Sequence, residues 1–265
     1  MHWAQRVNVS SNTRRDVDTF TLRGIDELQR FSTPPYRCLY LPTETASLTY
    51  RIIRDLTPQQ YNELLRRGWR RFGCEFFRPA CAQCVQCRSL RLPLADFRLS
   101  RSQKRTLRRN AAIRVVVQKP TLTHEHIQLF NAYHAYMHAQ RGWPAQTTHE
   151  RAYFRSFLLG NWSFAREFLY YDRECLVGVG LADVTHEALS SIYFFHDPAW
   201  RPHAPGVFSI LRQAAYARQQ GLRYHYLGYW VADSPSMAYK AQYCPHQILR
   251  CHPPDEEEPE WVAPE

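Results

Sequence analysis

Phe164-Ala-Arg-Glu-Phe-Leu-Tyr-Tyr171, Leu176-Val-Gly-Val-Gly-Leu181 and Ala188-Leu-Ser-Ser-Ile-Tyr-Phe-Phe195 are three short apolar-rich runs divided by polar turns. Each is too short for a globular helix and carries aromatic or branched side chains, so each predicts a strand. Gly206 to Gln219 then places Phe208, Ile210, Leu211, Ala214 and Ala215 on an amphipathic pattern that stops at Gly221, and Leu222 to Tyr229 predicts another strand. Upstream, Thr123 to Gln140 and Thr148 to Leu159 read as helices, the first ended by Gly142-Trp143-Pro144.

Helix, helix, antiparallel meander, helix, strand is the element order of a GNAT-like acyltransferase domain. That likeness is one of pattern; it predicts an α/β (α+β) fold and leaves the function open. The expected organisation is a smaller N-terminal Cys-containing domain, residues 1–118, packed against a GNAT-like domain, residues 119–252. Lys119-Pro120 marks the boundary. Residues 253–265 read as a disordered acidic tail, interrupted by prolines and with nothing to bury.

In the N-terminal part, residues 1–30 are polar without periodicity, and Ser32 to Pro42 is loop-like. Ser47 to Arg54 alternates at its start like a strand. Thr57-Pro58-Gln59-Gln60 opens a helix with a capping box, Tyr61, Leu64 and Leu65 form its buried stripe, and Gly68 follows its last turn. Trp69 to Phe77 reads as two strands about Gly73, Ser100 as the cap of a helix reaching Arg109, and Ile113 to Val117 as a strand.

A formal charge of +10 and a pI near 9.3 favour a polyanionic partner. The total understates the body, because Asp255, Glu256, Glu257, Glu258, Glu260 and Glu265 follow Arg250 with no lysine or arginine among them. The first residues lack an apolar signal core and no run approaches a membrane span, so a cytoplasmic protein without membrane association is expected. In that setting eight cysteines argue for metal ligation or plain buried thiols over disulfides.

Cys81-x-x-Cys84-x-x-Cys87 presents three thiols in a tight turn, a pattern that suits zinc or an iron–sulfur cluster once a fourth ligand arrives. Cys38 is the natural fourth and Cys74 the alternative, while small buried thiols without metal fit the same residues. His134 and His138 are spaced like helical metal ligands but lack the acid that usually stands between them. Directly after the cysteines, Arg101, Lys104, Arg105, Arg108 and Arg109 stand with no acid between Asp96 and Glu125. One side of this helix can neutralise phosphates, with Ser100, Ser102 and Gln103 as hydrogen-bond donors near its start. In the C-terminal half, Tyr226, Tyr229, Tyr239 and Tyr243 surround Gly228 together with Lys240, a set that can stack a base and hold an anion. His203-Ala-Pro-Gly206 lacks the Gly-rich pyrophosphate loop that coenzyme A needs, which leaves that helix start free for another acyl donor.

Several stretches together resemble the arginyl-tRNA–protein transferase family, most closely its bacterial branch of aspartate/glutamate leucyltransferases. They are Cys38-Leu-Tyr40-Leu41-Pro42, Gly68-Trp-Arg-Arg71, Phe77-Arg-Pro79 with Cys81, Cys84 and Cys87, Ser100 to Arg105, Tyr226 to Tyr229, and Met237-x-Tyr239-Lys240. Leu41 stands where the eukaryotic branch has a second cysteine, and Gln140 to Trp143 lack the basic, Gly-rich run of many relatives.

The resemblance implies transfer of Leu or Arg from an aminoacyl-tRNA to proteins beginning with Asp or Glu, as in an N-degron pathway. It needs no cofactor for the chemistry, and a monomer suffices. Arg101, Lys104 and Arg105 are expected to hold the tRNA end or the acceptor carboxylate. Tyr226, Tyr229, Tyr239 and Lys240 are expected to line the aminoacyl-adenosine pocket, with Asp197 orienting or deprotonating the amine. The alternatives are a coenzyme A-dependent N-acetyltransferase and a non-catalytic, metal-stabilised RNA-binding module.

Overall fold

The structure, a computed structural model, describes residue 22 and residues 24–264; most of the polar lead stretch lies outside these. β1 (Asp26–Ser32), the short β2 (Tyr36–Arg37) and β3 (Thr45–Ala46), and β4 (Leu48–Asp55) precede α1 (Pro58–Arg66). β5 (Arg70–Phe72) and β6 (Glu75–Pro79) follow, and β1, β4, β6 and β5 form a four-stranded antiparallel sheet. The α1 capping box is present, with Gln60 N donating to Thr57 Oγ1 at 3.2 Å and Thr57 N to Gln60 Oε1 at 2.7 Å. β1 is the part of the lead stretch that its lack of periodicity concealed: it is an edge strand, mostly exposed, with no buried face to impose alternation.

Next come β7 (Arg88–Pro93), α2 (Arg101–Arg109), β8 (Arg114–Gln118), α3 (His124–Arg141) and α4 (Glu150–Tyr153), which runs on as a wider π-helical turn over Phe154–Leu158. β9 (Ala165–Asp172), β10 (Cys175–Val184), β11 (Ala188–His196), α5 (Pro205–Gln219), β12 (Tyr224–Trp230), β13 (Gln247–Leu249) and β14 (Trp261–Val262) complete the chain. Two 3-10 turns, Pro198–His203 and Ala238–Gln242, lie beside α5 and β12 in sequence.

The larger sheet has eight strands in the order β14-β13-β7-β12-β11-β10-β9-β8. β9, β10 and β11 form the expected antiparallel meander, while β12 runs parallel to β11 after α5. Alternation sorts the two faces: Phe168 and Tyr170 of β9 pack with Phe208 and Leu211 of α5, whereas Leu169 packs with Leu129 and Phe130 of α3. Gly178 lets the α5 side approach closely, since a Cβ there would lie 2.7 Å from the Trp200 ring.

Two expectations need correction. β7 and β8 precede residue 119 yet belong to the same sheet as β9 to β14, and a third core joins Ile53, Leu64, Trp69 and Phe76 to Trp162, Phe164 and Tyr226. The division near Lys119-Pro120 therefore does not separate two sheets or two cores. Nor is the acidic tail free. β14 pairs with β13, Trp261 Nε1 donates to Arg66 O at 3.1 Å, and Arg91 lies 4.1 Å over the Trp261 ring. Asp255 bridges Arg30 and Arg51, and Glu258 reaches Arg66, so the tail acids find arginine partners that composition alone cannot reveal. Among the described residues no helix is long and apolar enough to cross a membrane.

The smaller sheet is pinned to the larger by Arg71 of β5. Its Nε donates to Asp183 Oδ2 at 2.8 Å and its Nη2 to Oδ1, with Asp183 fully buried. Removing one partner of such a pair strands the other charge out of water. We expect Asp183→Asn to lower the unfolding free energy by about 3–5 kcal/mol, read as a shift in urea midpoint at unchanged slope; a loss below about 1 kcal/mol would show that the pair does not pin the sheets.

Candidate active site

The parallel ladder between β11 and β12 ends early. Ala188, Leu189 and Ser190 pair with Tyr224, His225 and Tyr226, but beyond Ser190 the two strands part. On its other edge β12 shifts register against β7 between Tyr226 and Gly228. A cleft of about 770 Å³ includes this parting. Arg70 of β5 enters it, donating from Nη1 to Ser190 Oγ at 2.7 Å and from Nη2 to the Ser191 carbonyl. The guanidinium lies beside Gly228, whose φ of 82° is one that glycine adopts readily.

Around Arg70 the cleft is built from several elements. Ser191 and Tyr193 come from β11, Gln213 from α5, and Leu227 and Tyr229 from β12. Tyr133 of α3 and Trp143 beyond it form one wall; Met237, Tyr239 and Lys240 form another. The first turn of α5, Pro205 to Val207, also lines the cleft, and no side chain caps that helix. Among the described residues the lining holds three cationic side chains, Arg70, Arg201 and Lys240, and no Asp or Glu.

Beneath the cleft, Ser191 Oγ donates to Gln213 Oε1 at 2.6 Å and stands 2.8 Å from His225 Nε2. With its proton directed to Gln213, the serine oxygen accepts from Nε2–H, which fixes the histidine tautomer. His225 is fully buried, and burial together with the Arg70 charge pushes it down to about 3, so it is neutral. Lys240 donates from Nζ to the Tyr229 carbonyl. Burial, with the Arg70 charge acting in the same direction, lowers it from 10.5 to about 7. It is therefore poised to exchange a proton near neutrality.

Of the residues the sequence nominated, Tyr229, Tyr239 and Lys240 line the cleft. The Tyr229 ring does so while its hydroxyl points away, toward Gly68 O at 2.9 Å and Phe77 O at 3.1 Å. Tyr226 does not line it: it is buried in the neighbouring core, edge-on to Trp261, and its hydroxyl accepts from Arg91 Nη1 at 3.2 Å. Strand alternation and the β12 register shift send it to the other face. Asp197 also lies outside the lining. Its Oδ1 accepts from Ala199 N at 2.8 Å and caps the Pro198–His203 turn.

α2 stands beside the cleft rather than in it. Its capping box is formed, with Gln103 N donating to Ser100 Oγ at 3.2 Å, while Ser102 pairs with Ser100 at 2.9 Å. Gln103 is buried and donates to Gln242 O, and Asn110 and Arg109 donate to His203 O and Pro202 O. Both turns that flank the cleft are thus tied to α2. Arg101, Lys104 and Arg105 are exposed, so they present a cationic ridge next to it.

Cys38, Cys81, Cys84 and Cys87 are half-buried neighbours. Burial, with the other three thiols adding to it, pushes Cys87 up to about 12. Cys81 is directed to Ser47 O at 3.6 Å, and Cys38 accepts from Tyr40 N at 3.5 Å. Among the described residues no group of three or more His, Cys, Asp or Glu converges as a metal site requires, so these thiols as placed do not form a ligand set. Cys74 packs against the separate core of Ile53 and Trp69. His134 contacts Tyr193 Oη at 2.9 Å and His138 contacts Trp143 O at 2.6 Å, which excludes a shared ligand role in this arrangement.

Arg70, Ser191, Gln213, His225 and Arg201 escaped the sequence reading. Arg70 nevertheless stands in the Gly68-Trp-Arg-Arg71 stretch that carries the family resemblance, and in a short run that reads as a strand.

Family models give the chain's wider likeness. "Arginine-tRNA-protein transferase, N terminus" matches residues 36–105, and "Arginine-tRNA-protein transferase, C terminus" matches residues 125–250. A protein of Helicobacter hepaticus named aspartate/glutamate leucyltransferase is 38% identical over 224 residues, covering 84% of this chain and 93% of its own. Proteins of that name from Campylobacter jejuni and Pseudomonas fluorescens are 36% and 35% identical, over 83% and 84% of this chain and 92% and 94% of theirs. Among solved structures, FemX aligns at a TM-score of 0.42 with 11% identity, covering 79% of this chain and 81% of its own. L-PGS from Bacillus licheniformis aligns at 0.40 with 12% identity, covering 78% and 69%.

The electrostatics of the cleft can be checked directly. We expect reductively ¹³C-methylated Lys240 to titrate near 7, and to titrate higher in Arg70→Gln, because losing a neighbouring positive charge favours the ammonium. A titration near 10.5 in the unaltered protein would refute the buried placement of Nζ.

Proposed function

The chain belongs to the arginine-tRNA-protein transferase family, and on that premise we propose that it carries leucine from leucyl-tRNA to the α-amino group of proteins beginning with Asp or Glu. The observation that carries this reading is the acid-free cleft with a neutralisable Lys240 inside it and a basic ridge beside it. Its volume accommodates an aminoacyl-adenosine and an incoming amine. Leucine is favoured over arginine as the donated residue. A guanidinium would call for a carboxylate partner, whereas Phe72, Ile192, Leu227 and Met237 offer apolar contact.

The donor is already an activated ester, so holding two reactants in line supplies much of the acceleration. An α-ammonium group has a pKa of about 7.7–8.0, close enough to Lys240 for a proton to pass between them. Neutral Lys240 takes one proton from the acceptor's ammonium. The freed amine attacks the ester carbonyl; the new C–N bond forms, the bond to the ribose oxygen breaks, and the second amine proton passes to that leaving oxygen. Lys240 then returns its proton to solvent. Tyr239 and Tyr229 flank the adenosine. Arg101, Lys104 and Arg105 attract the tRNA backbone, and the uncapped start of α5 receives the terminal phosphate. No step uses a cofactor or Cys38, Cys81, Cys84 or Cys87, so zinc or an iron–sulfur cluster has no part in this scheme.

The parted parallel strands and the meander support a GNAT-like acyltransferase framework built on the eight-stranded sheet, to which β7 and β8 of the Cys-containing part contribute strands. Because charged tRNA is the donor we assign the reaction to the cytoplasm, and because every residue the scheme uses lies on one chain we assign it to the monomer.

The test supplies labelled Leu-tRNA or Arg-tRNA with peptides beginning in Asp, Glu or Ala. Leucine should appear on the Asp and Glu peptides, with a rate that rises as pH climbs through about 7, where Lys240 loses its proton. Lys240→Met should lower kcat by about 100-fold or more. Joint replacement of Arg101, Lys104 and Arg105 by Ala should raise the KM for tRNA and flatten its salt dependence by about 2 in log–log slope. Acetyl transfer from acetyl-coenzyme A, or tRNA binding with no release of leucine, would replace this reading with one of its rivals.

A further inference from the structure

Arg70 and Arg71 are neighbours on β5, and both are buried, yet their surroundings are opposite. Alternation along the strand turns them to different faces. Arg71 meets the Asp183 carboxylate with two of its nitrogens and donates to Gly73 O at 3.1 Å with a third, so its charge is balanced. Arg70 meets only neutral oxygens, those of Ser190 and Ser191. Among the described residues no carboxylate lies within ion-pair reach of it, and no acid lines its cleft. Its uncompensated charge depresses both Lys240 and His225. A guanidinium held at 8% exposure without a counter-ion, at the floor of a cleft large enough for a ligand, is a seat for an anion.

We propose that Arg70 is the specificity residue for the acceptor, receiving the side-chain carboxylate of an N-terminal Asp or Glu where β11 and β12 part. The assignment rests on the transfer reaction proposed above. Its geometry fits that reaction, because Asp and Glu carry the reactive amine and the carboxylate on one residue. The groups that recognise them must therefore share one small space, as Lys240 and Arg70 do. Ser190 and the Ser191 carbonyl hold the fork from one side, leaving its remaining N–H groups for a planar carboxylate. Phosphates of the tRNA are matched instead by the exposed ridge of α2 and by Arg201 at the wall, which packs 5.4 Å from the Tyr136 ring. Neutral Asn or Gln at the acceptor's first position would leave Arg70 unpaired and lose the attraction.

Transfer from labelled Leu-tRNA to peptides beginning with Asp, Glu, Asn or Gln tests this in the full-length protein, Arg70→Gln and Ser190→Ala. The unaltered protein should prefer Asp over Asn by about 100-fold or more in kcat/KM. In Arg70→Gln that preference should fall to within about threefold of unity, while the KM for Leu-tRNA stays within about twofold. Ser190→Ala, which removes only one oxygen, should raise the KM for the Asp peptide about tenfold with little change in kcat. This variant decides the matter if Arg70→Gln fails to fold by circular dichroism. A folded Arg70→Gln that keeps the full Asp preference, or a Ser190→Ala with unchanged peptide KM, overturns the assignment of Arg70 while leaving leucine transfer intact. Absence of transfer to every peptide by the unaltered protein overturns the transfer reaction itself, and the role of Arg70 with it.

Discussion

β11 and β12 pair over Ala188 to Ser190 and then part, although β11 continues to His196 and β12 to Trp230. Two strands that separate inside a sheet leave backbone groups facing each other without partners, which a fold tolerates only if something else satisfies them. Arg70 does so for the Ser191 carbonyl, and it comes from the smaller sheet, more than a hundred residues upstream. The N-terminal part therefore completes the floor of the cleft rather than decorating its rim. Arg71, next in sequence, anchors the same strand to Asp183 of β10 and so fixes where Arg70 can reach. Position and chemistry of the site descend from one short strand held on both of its faces.

The elements legible in the sequence are those whose signals are local. Thr57 with Gln60 and Ser100 with Gln103 announce their helices because a capping box lies within four residues. The meander is legible for the same reason, since each strand is a compact apolar run between polar turns. β7 was hidden. Leu90 and Leu92 alternate and are fully buried, but six residues between a cysteine turn and a basic helix gave no hint that they would pair with β12 and β13. Trp261 is a similar case: its partners are Arg66 and Arg91, far away in the chain.

Site residues follow the same rule. Tyr239 and Lys240, which line the cleft, belong to a tight cluster of tyrosines about a lysine that is visible in the sequence itself. Tyr226 was misplaced because its face depends on a register shift that local sequence does not carry. Asp197, before a proline at the start of a turn, had two roles open to it, and the cap is the one its geometry fills. What distinguishes Arg70 is the lack of an acidic partner among the described residues, and that is visible only once the neighbours are known.

The distribution of acids gives the excess charge its meaning. Asp183 neutralises Arg71, Glu27 and Asp255 meet Arg51, Glu63 and Glu258 meet Arg66, and Glu187 meets Arg223. Asp255 and Glu258 come from a tail beyond residue 250, where the C-terminal family model ends. It lies over arginines of the smaller sheet and of α1. Among the described residues no such partner reaches α2, and none reaches the cleft. A polyanion is therefore drawn most strongly where the arginines are left bare, and that ridge is tied through Gln103 and Asn110 to both turns that border the cleft. Among the described residues the α2 ridge and Arg70 meet no acid, so positive charge is left free where, under the proposed reaction, a charged RNA and a carboxylate would meet.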